Sequence, residues 1–385
     1  MAGVDIPVLQ DYGTLDINSA VFKVTDDCNL GCGYCYRENA EPVHRRSVMS
    51  MEVVDETLSQ IFQYKERMYA EHGIDRTPSL YFVFHGGEPL MIGKRGFMKI
   101  LDVQRRYTDM GYVIRNSVQT NGTLIDDGFA DIFRENGFRV GVSIDGPRSV
   151  QDVFRVFRDG RSSFDRTCRG IDVLNDRGIP WSAISVINRE YLGKEEDMFS
   201  FFRDKGAFEV DFTPSFFYET PFSLPPDEYA QFMNTMFDIW IREEAPYEIR
   251  FFKDLLHIMG YTRNPSKDTV ICELAGQCHR NVSIGSNGDF YTCECLNSLE
   301  RNLLGNIMEV PIPELLAGER FRRMAAETEN LHPDCMDCEF FHICKGGCYN
   351  RRLPAGSGAP RLDFHCSARK SIIGHVREVC DTMIG

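Results

Sequence analysis

From about Ser19 to Ser215 short apolar runs alternate with longer stretches in which apolar residues recur every three or four positions. That alternation is the pattern of strands, each followed by a helix, around a parallel sheet. It predicts strands at 19–24, 79–85, 112–118, 138–144, 181–187 and 207–213. Helical spacing falls near 50–72, 95–109, 126–136, 164–177 and 195–205, and Gly73, Gly137, Gly178 and Gly206 stop four of these helices. The character changes from Pro221 to Tyr261, where Pro225-Pro226-Asp227 starts a helix and aromatic residues are spaced along it, as in a helical bridge. From about Cys272 onward Cys, Gly, Asn and Pro dominate. So loop-rich a segment cannot make a large core unaided, and metal clusters are the available staple. The expected units are therefore 1–218, 219–265 and 266–385, with no internal repeat and no low-complexity tract.

Composition narrows the setting. With 385 residues, 43% of them hydrophobic, the chain is long enough for two or three packed units. No apolar stretch approaches the roughly 18 residues of a membrane span, and the first 27 residues lack the basic start and apolar segment of a secretory signal. A cytoplasmic protein is expected. Its 14 cysteines are clustered, which in a long chain without an export signal points to metal binding rather than disulfides. The net charge of −14 opposes non-specific attraction to nucleic acid or anionic lipid.

The densest chemistry is Asp27-Cys28-Asn29-Leu30-Gly31-Cys32-Gly33-Tyr34-Cys35-Tyr36. Its CxxxCxxC spacing offers three thiolates to one cube of iron and sulfide and leaves the fourth iron open to a chelating cofactor. A zinc knuckle or a redox pair is the alternative, but structural zinc takes four ligands and no His or fourth Cys lies close by. The motif follows the first strand, and His85-Gly86-Gly87-Glu88-Pro89 follows the second. Together they resemble the signatures of radical S-adenosylmethionine (SAM) enzymes, which implies a partial (β/α)6 barrel, an α/β fold. The resemblance further implies that the open iron binds the amino and carboxylate groups of SAM and delivers one electron to its sulfonium. Gly86 and Gly87 would let the backbone approach the methionine part, and Glu88 would steady its ammonium group. Family matches continue at strand ends, in Gln119-Thr120-Asn121-Gly122-Thr123 and Ser143-Ile144-Asp145-Gly146-Pro147. By the same likeness Asn121 belongs to the cofactor site, Ser143 approaches the ribose, Arg155 the SAM carboxylate, Val186 the adenine, and Tyr34 packs beside the cofactor. The plain alternatives are ordinary Asn-Gly and Asp-Gly turns and a solvated helix arginine.

A second cysteine system comprises Cys272, Cys278 and Cys293, then Cys335, Cys338, Cys344, Cys348 and Cys366. The spacings, Cx5Cx14C and CxxCx5CxxxCx17C, resemble SPASM domains, the auxiliary-cluster modules of anaerobic sulfatase-maturating enzymes and peptide-modifying relatives. Gly288, five residues before Cys293, lies in an Asn287-Gly288 turn suited to a hairpin. The likeness assigns Cys272, Cys278, Cys293 and Cys348 to one cluster and Cys335, Cys338, Cys344 and Cys366 to another. A pair of zinc sites is the competing assignment. The implied cofactors are three [4Fe-4S] clusters and SAM. Cys168 and Cys380 read as small buried apolar residues, whereas Cys295, two residues past a proposed ligand, has a catalytic or substitute-ligand role open to it.

Such a chain would generate a 5′-deoxyadenosyl radical that takes hydrogen from an unactivated carbon. The substrate radical then loses a proton and an electron, and auxiliary clusters give the electron a route away. In sulfatase-maturating enzymes an aspartate after the third auxiliary cysteine is thought to take the proton. Glu294 holds the matching position with one more methylene, the alternative being a solvated hairpin glutamate. The leading expectation is an oxidoreductase that oxidises or cross-links a residue of a peptide or protein, such as a short ribosomal precursor peptide, fed by an external flavodoxin- or ferredoxin-type reductant. Only 27 residues precede Cys28, too few for a separate peptide-recognition domain, so barrel and bridge surfaces or a separate protein would recognise a leader. The rivals are formylglycine formation in a sulfatase and a dehydrogenase or epimerase of a small carbohydrate or aminocyclitol. A bare electron carrier has no need of the Gly86-Gly87-Glu88-Pro89 shelf.

Overall fold

The computed structural model describes residues 15–36, 47–215, 223–262, 271–276, 278, 282–294, 302–352 and 360–384. Six parallel strands stand side by side in chain order: β1 (Ser19–Thr25), β2 (Ser79–Gly86), β3 (Val113–Thr120), β4 (Arg139–Ser143), β5 (Trp181–Ile187) and β6 (Glu209–Pro214). All six coincide with the expected runs to within two residues. The connecting helices are α1 (Met51–Glu71), α2 (Gly93–Asp109), α3 (Asp127–Glu135), α4 (Arg148–Phe154), α5 (Phe164–Asp176) and α6 (Glu195–Asp204). The seven-residue α4 is absent from the helices expected of the sequence. Only Val150 and Gln151 of it are buried, too few to mark a periodic stripe.

Local chemistry starts these elements where the sequence says. The Ser50 hydroxyl accepts from the Val53 N–H at 3.2 Å to cap α1, and the Asp126 carboxylate accepts from the Phe129 N–H at 3.0 Å to cap α3. Along the strands one face is buried under the helices through Ala20, Phe22 and Val24, Leu80, Phe82 and Phe84, Val140 and Val142, and Val210 and Phe212. The opposite register, including Tyr81, Val83 and His85, Ser117 and Gln119, Ser143, Ile184 and Val186, is only half-buried. This two-residue alternation leaves the inner face of the half-barrel available for a ligand.

The rest of the chain extends the sheet. After α7 (Pro226–Arg242) the two-residue strand β7 (Glu248–Ile249) joins the edge of β6 and leads into α8 (Arg250–Ile258), so the bridge is helical with one added strand. On the other edge β8 (Val282–Ile284) runs parallel to β1, and β9 (Asp289–Tyr291) and β10 (Leu303–Asn306) follow antiparallel. The Asn287-Gly288 turn does form the β8–β9 hairpin, with Gly288 at φ 91°. Sharing of one sheet between the two ends of the chain was not expected, because three-residue strands carry no periodicity to read. The helix Cys366–Ile384 packs on α7, where His375 meets Asp238 at 2.7 Å. The expected boundaries at 218/219 and 265/266 fall within 216–222 and 263–270, outside the described residues. No described helix is long and apolar enough to cross a membrane.

Candidate active site and cluster sites

The chain leaving β1 forms the cysteine loop. It is held by backbone bonds to the segment after α4, Gly31 N–H to Val156 O at 2.9 Å and Gly33 N–H to Phe154 O at 3.2 Å, while Arg158 Nε donates to Cys28 O at 2.8 Å. Cys28, Cys32 and Cys35 are half-buried and free of disulfides. Burial pushes the Cys28 thiol up to about 11 and that of Cys32 to about 12, an effect that a bound cation would oppose. Donors already face Cys28 Sγ, with Leu30 N–H at 3.4 Å and Asn121 Nδ2 at 3.9 Å. Three thiols on one loop, with N–H groups turned to sulfur, fit an iron–sulfur cube with one open corner.

Gly86 and Gly87 serve a neighbour the sequence did not reveal. A Cβ on Gly86 would stand 2.1 Å from Thr25 O, and one on Gly87 would stand 2.1 Å from Asp27 O. The glycines thus let the cysteine loop lie against the end of β2, with Gly87 N–H bonded to Thr25 O at 2.8 Å and Glu88 N–H to Asp27 O at 2.7 Å. Glu88, expected at the SAM ammonium, is fully buried, and its carboxylate accepts from Leu90 N–H (3.0 Å), the Thr120 hydroxyl (2.6 Å) and Asn121 N–H (2.7 Å). It pins the end of β2 to the end of β3. Asn121 in turn donates to Asn29 Oδ1 at 2.8 Å, and Asn29 donates to Thr123 Oγ1 at 2.9 Å, tying the third strand end to the cysteine loop.

Asp145, read from sequence only as part of a turn, proves to be the hub of the expected SAM contacts. One carboxylate oxygen accepts from Arg155 Nε at 2.8 Å and Val186 N–H at 3.2 Å, and the other accepts from the Tyr34 hydroxyl. Arg155 also lies over the Tyr34 ring, 5.3 Å from its centroid, and close enough to Cys32 to favour its thiolate. Three of the candidate residues, from three separate stretches of chain, are thereby fixed on one fully buried carboxylate. Ser143 stands nearby on the half-buried inner register, its Oγ accepting from Gln119 Nε2 at 2.8 Å. Its burial, which marks it out, is visible only in the structure.

Glu294 is not a solvated hairpin residue. It reaches the inner face of β1 and β2, where Oε1 lies 3.1 Å from Lys23 Nζ and 3.6 Å from His85 Nδ1 and accepts from the Tyr36 hydroxyl at 2.6 Å. Oε2 accepts from the Ser283 hydroxyl at 2.7 Å. Burial disfavours its charge, yet Lys23, His85 and the two hydroxyls overcome that and hold the carboxyl at about 2. Lys23 and His85 are directly paired across β1 and β2, and Lys23 is 5% exposed. Tyr36 immediately follows the cysteine loop. The carboxy-terminal module therefore places an anion beside the amino-terminal loop, through partners that sequence reading did not single out.

The remaining thiols fall into two neighbourhoods. Burial raises the Cys272 thiol, and Cys348, Cys278 and Cys293 lie close enough to raise it further. Cys335, Cys338, Cys344 and Cys366 line one cavity together with Phe340, Phe341 and Arg369. Among the described residues no three Cys, His, Asp or Glu side chains converge on one point as ligands of a single ion would. Four thiols around the walls of a shared space suit the corners of a cube. Between the neighbourhoods lies a buried ion-pair quartet: Arg351 with Glu273 and Asp363 (3.1 Å), and Arg369 with Glu273 (2.5 Å) and Asp363 (3.4 Å). Asp363 also accepts from Cys348 N–H at 2.8 Å. Cys168 and Cys380 are buried apolar residues of their helices, and Cys295 lies outside the described residues.

The comparisons with known proteins agree with this arrangement. The model of the radical SAM superfamily matches residues 22–202, and that of the SPASM iron–sulfur cluster-binding domain matches residues 272–339. A serine-type anaerobic sulfatase-maturating enzyme of Bacteroides thetaiotaomicron is 29% identical over 92% of this chain and 88% of its own length. A cysteine-type enzyme of Clostridium perfringens is 26% identical over 89% and 91%. In fold the chain is similar to anSMEcpe with bound AdoMet (TM-score 0.83, 24% identity, 95% of this chain and 98% of that one). It is also similar to Streptococcus suis SuiB bound to the precursor peptide SuiA (TM-score 0.65, 15% identity, 92% and 77%). With both domain models matched in order, and with cysteine sites suited to [4Fe-4S] clusters and SAM, the chain is a radical SAM enzyme with a SPASM auxiliary-cluster domain.

Proposed function

We propose that this enzyme oxidises a residue within a peptide or protein. The observation that carries the reading is Glu294: the auxiliary-cluster module delivers a carboxylate to the inner face of the barrel, between Lys23 and His85 and against Tyr36 of the cysteine loop. A cluster at this site with SAM on its open corner would supply radical chemistry for abstracting a hydrogen atom. Cys28, Cys32 and Cys35 hold that cluster. Arg155 and Tyr34, fixed on Asp145, would orient the cofactor, with Ser143 of the inner register available to its ribose. Glu294, held ionised, is already in the acceptor form for the proton the substrate loses. The two carboxy-terminal thiol sets would hold the auxiliary clusters, which would supply a route for the remaining electron.

The names of the curated relatives favour a Cys or Ser of a sulfatase as the oxidised residue, with formylglycine as product. The extra methylene of Glu294, and its engagement by Lys23, favour a different residue, since proton transfer depends on placement within about half an ångström. An external one-electron reductant of flavodoxin or ferredoxin type and a cytoplasmic setting complete the proposal. The test is anaerobic turnover of candidate peptides followed by mass spectrometry, locating a two-hydrogen loss by fragmentation. Glu294→Gln is expected to keep its iron and its release of 5′-deoxyadenosine but to lose roughly 10²-fold or more of product. Undiminished product would remove the proposed base, and a sugar modified in place of a peptide would overturn the substrate class.

A further inference from the structure

Arg369 sits between the ion-pair quartet and the cavity lined by Cys335, Cys338, Cys344 and Cys366. It is 3% exposed. Its Nη2 donates to Glu273 Oε2 at 2.5 Å and lies 3.4 Å from Asp363 Oδ2, while Nη1 reaches Glu273 O at 3.4 Å. Nε, by contrast, has no hydrogen-bond partner among the described residues. A buried guanidinium N–H without an acceptor bears its desolvation cost uncompensated. The ion pairs do not require that cost, because they use the Nη groups alone and a lysine would serve them. Cys344 and Arg369 line the same cavity.

We propose that Arg369 Nε donates a hydrogen bond to a sulfur of the second auxiliary cluster and raises that cluster's reduction potential. The proposal rests on the assignment of Cys335, Cys338, Cys344 and Cys366 as its ligands. Taking up one electron adds one negative charge to the cube and its thiolates, and a fixed donor at sulfur stabilises the more negative state. The quartet itself is balanced, two arginines against two carboxylates, so its net charge supplies little of this effect. The directed N–H supplies it. Arg369 is thus a positioning residue, one that makes the distal cluster a better acceptor for the electron released by the oxidised substrate.

The decisive variant is Arg369→Lys, which keeps the positive charge for Glu273 and Asp363 but has no Nε donor. In the full-length holoenzyme, an EPR-monitored redox titration follows the two couples that do not respond to SAM. One of them is expected to move to more negative potential, with at least a tenfold higher oxidised-to-reduced ratio at fixed potential, about 59 mV for one electron. The other auxiliary couple and the SAM-responsive couple stay in place. An unchanged potential in a variant with full iron content overturns the proposal. Should the variant lose iron, unsubstituted holoenzyme labelled with ¹⁵N-arginine answers the same question by electron–nuclear double resonance: coupling to a reduced auxiliary cluster supports the bond, and its absence overturns it. Unsubstituted protein that binds iron only at the amino-terminal site overturns the ligand assignment itself, an outcome distinct from failure of the hydrogen bond alone.

Discussion

The two cysteine regions are organised by opposite means. Around Cys28, Cys32 and Cys35 the regular parallel sheet does the positioning, and two glycines let β2 close against the loop. Around seven of the eight later cysteines the elements are short, Cys366 alone opening a long helix: Cys272–Ala275, Pro333–Met336, Phe341–Cys344 and Tyr349–Arg352 are each four residues long. Single turns of helix cannot hold themselves. There the chain relies on a buried quartet of charges and on its thiols. Backbone order builds the first site, whereas side-chain chemistry must build the second.

Removal of iron should therefore separate the two regions, and this is the largest effect expected. After anaerobic chelation, hydrogen exchange should leave β2 to β6 protected while amides of 271–276, 285–294 and 302–352 approach unprotected rates. β8 belongs to the sheet through β1, so its amides should show the intermediate case. If both regions keep equal protection without iron, the quartet alone is sufficient and the contrast fails.

The second way to press the comparison is to remove charge from the ordered half. Asp145→Asn leaves Arg155 buried without its anion and, with an amide NH2 in place of one carboxylate oxygen, removes the acceptor of either Tyr34 or the Arg155 and Val186 N–H groups. Breaking a buried pair from one side costs on the order of 3–5 kcal/mol. The denaturation midpoint should fall accordingly, and release of 5′-deoxyadenosine should fall with it while iron remains bound. If stability drops with SAM cleavage intact, Asp145 is a structural residue and Tyr34 and Arg155 do not orient the cofactor.

Legibility followed the same division. The six strands and five of the six connecting helices could be read from periodicity, because each has one face under a common core. The candidate cysteine ligands were named from their spacing, and their division into two auxiliary sets from the family resemblance. Asp145 could not, since Asp-Gly in sequence is indistinguishable from a surface turn until Tyr34 and Arg155 are seen to converge on it. Lys23 and His85 were hidden inside strands that read as apolar runs, and their value appears only when Glu294 arrives from 271 residues downstream of Lys23. The sharing of the sheet by β8 rests on three paired positions, below any threshold of pattern.

Glu88 gives the finest test, because it lies in the ordered half yet acts as a side-chain staple. Burial raises its carboxyl to about 7 despite donors from Thr120, Asn121 and Leu90. Since the folded value exceeds the unfolded one, its contribution to stability is fully present below about pH 4.5 and is lost as pH rises through about 7. Glu88→Gln abolishes that dependence, so the stability difference between the two proteins should vary over this window and flatten above it. The amide also sets an N–H group against the N–H of Asn121 or Leu90, at a cost of about 1–3 kcal/mol. A variant with the unsubstituted protein's stability at every pH would mean that the β2–β3 junction is held by the sheet alone, and the backbone would then account for the amino-terminal site without help from this carboxylate.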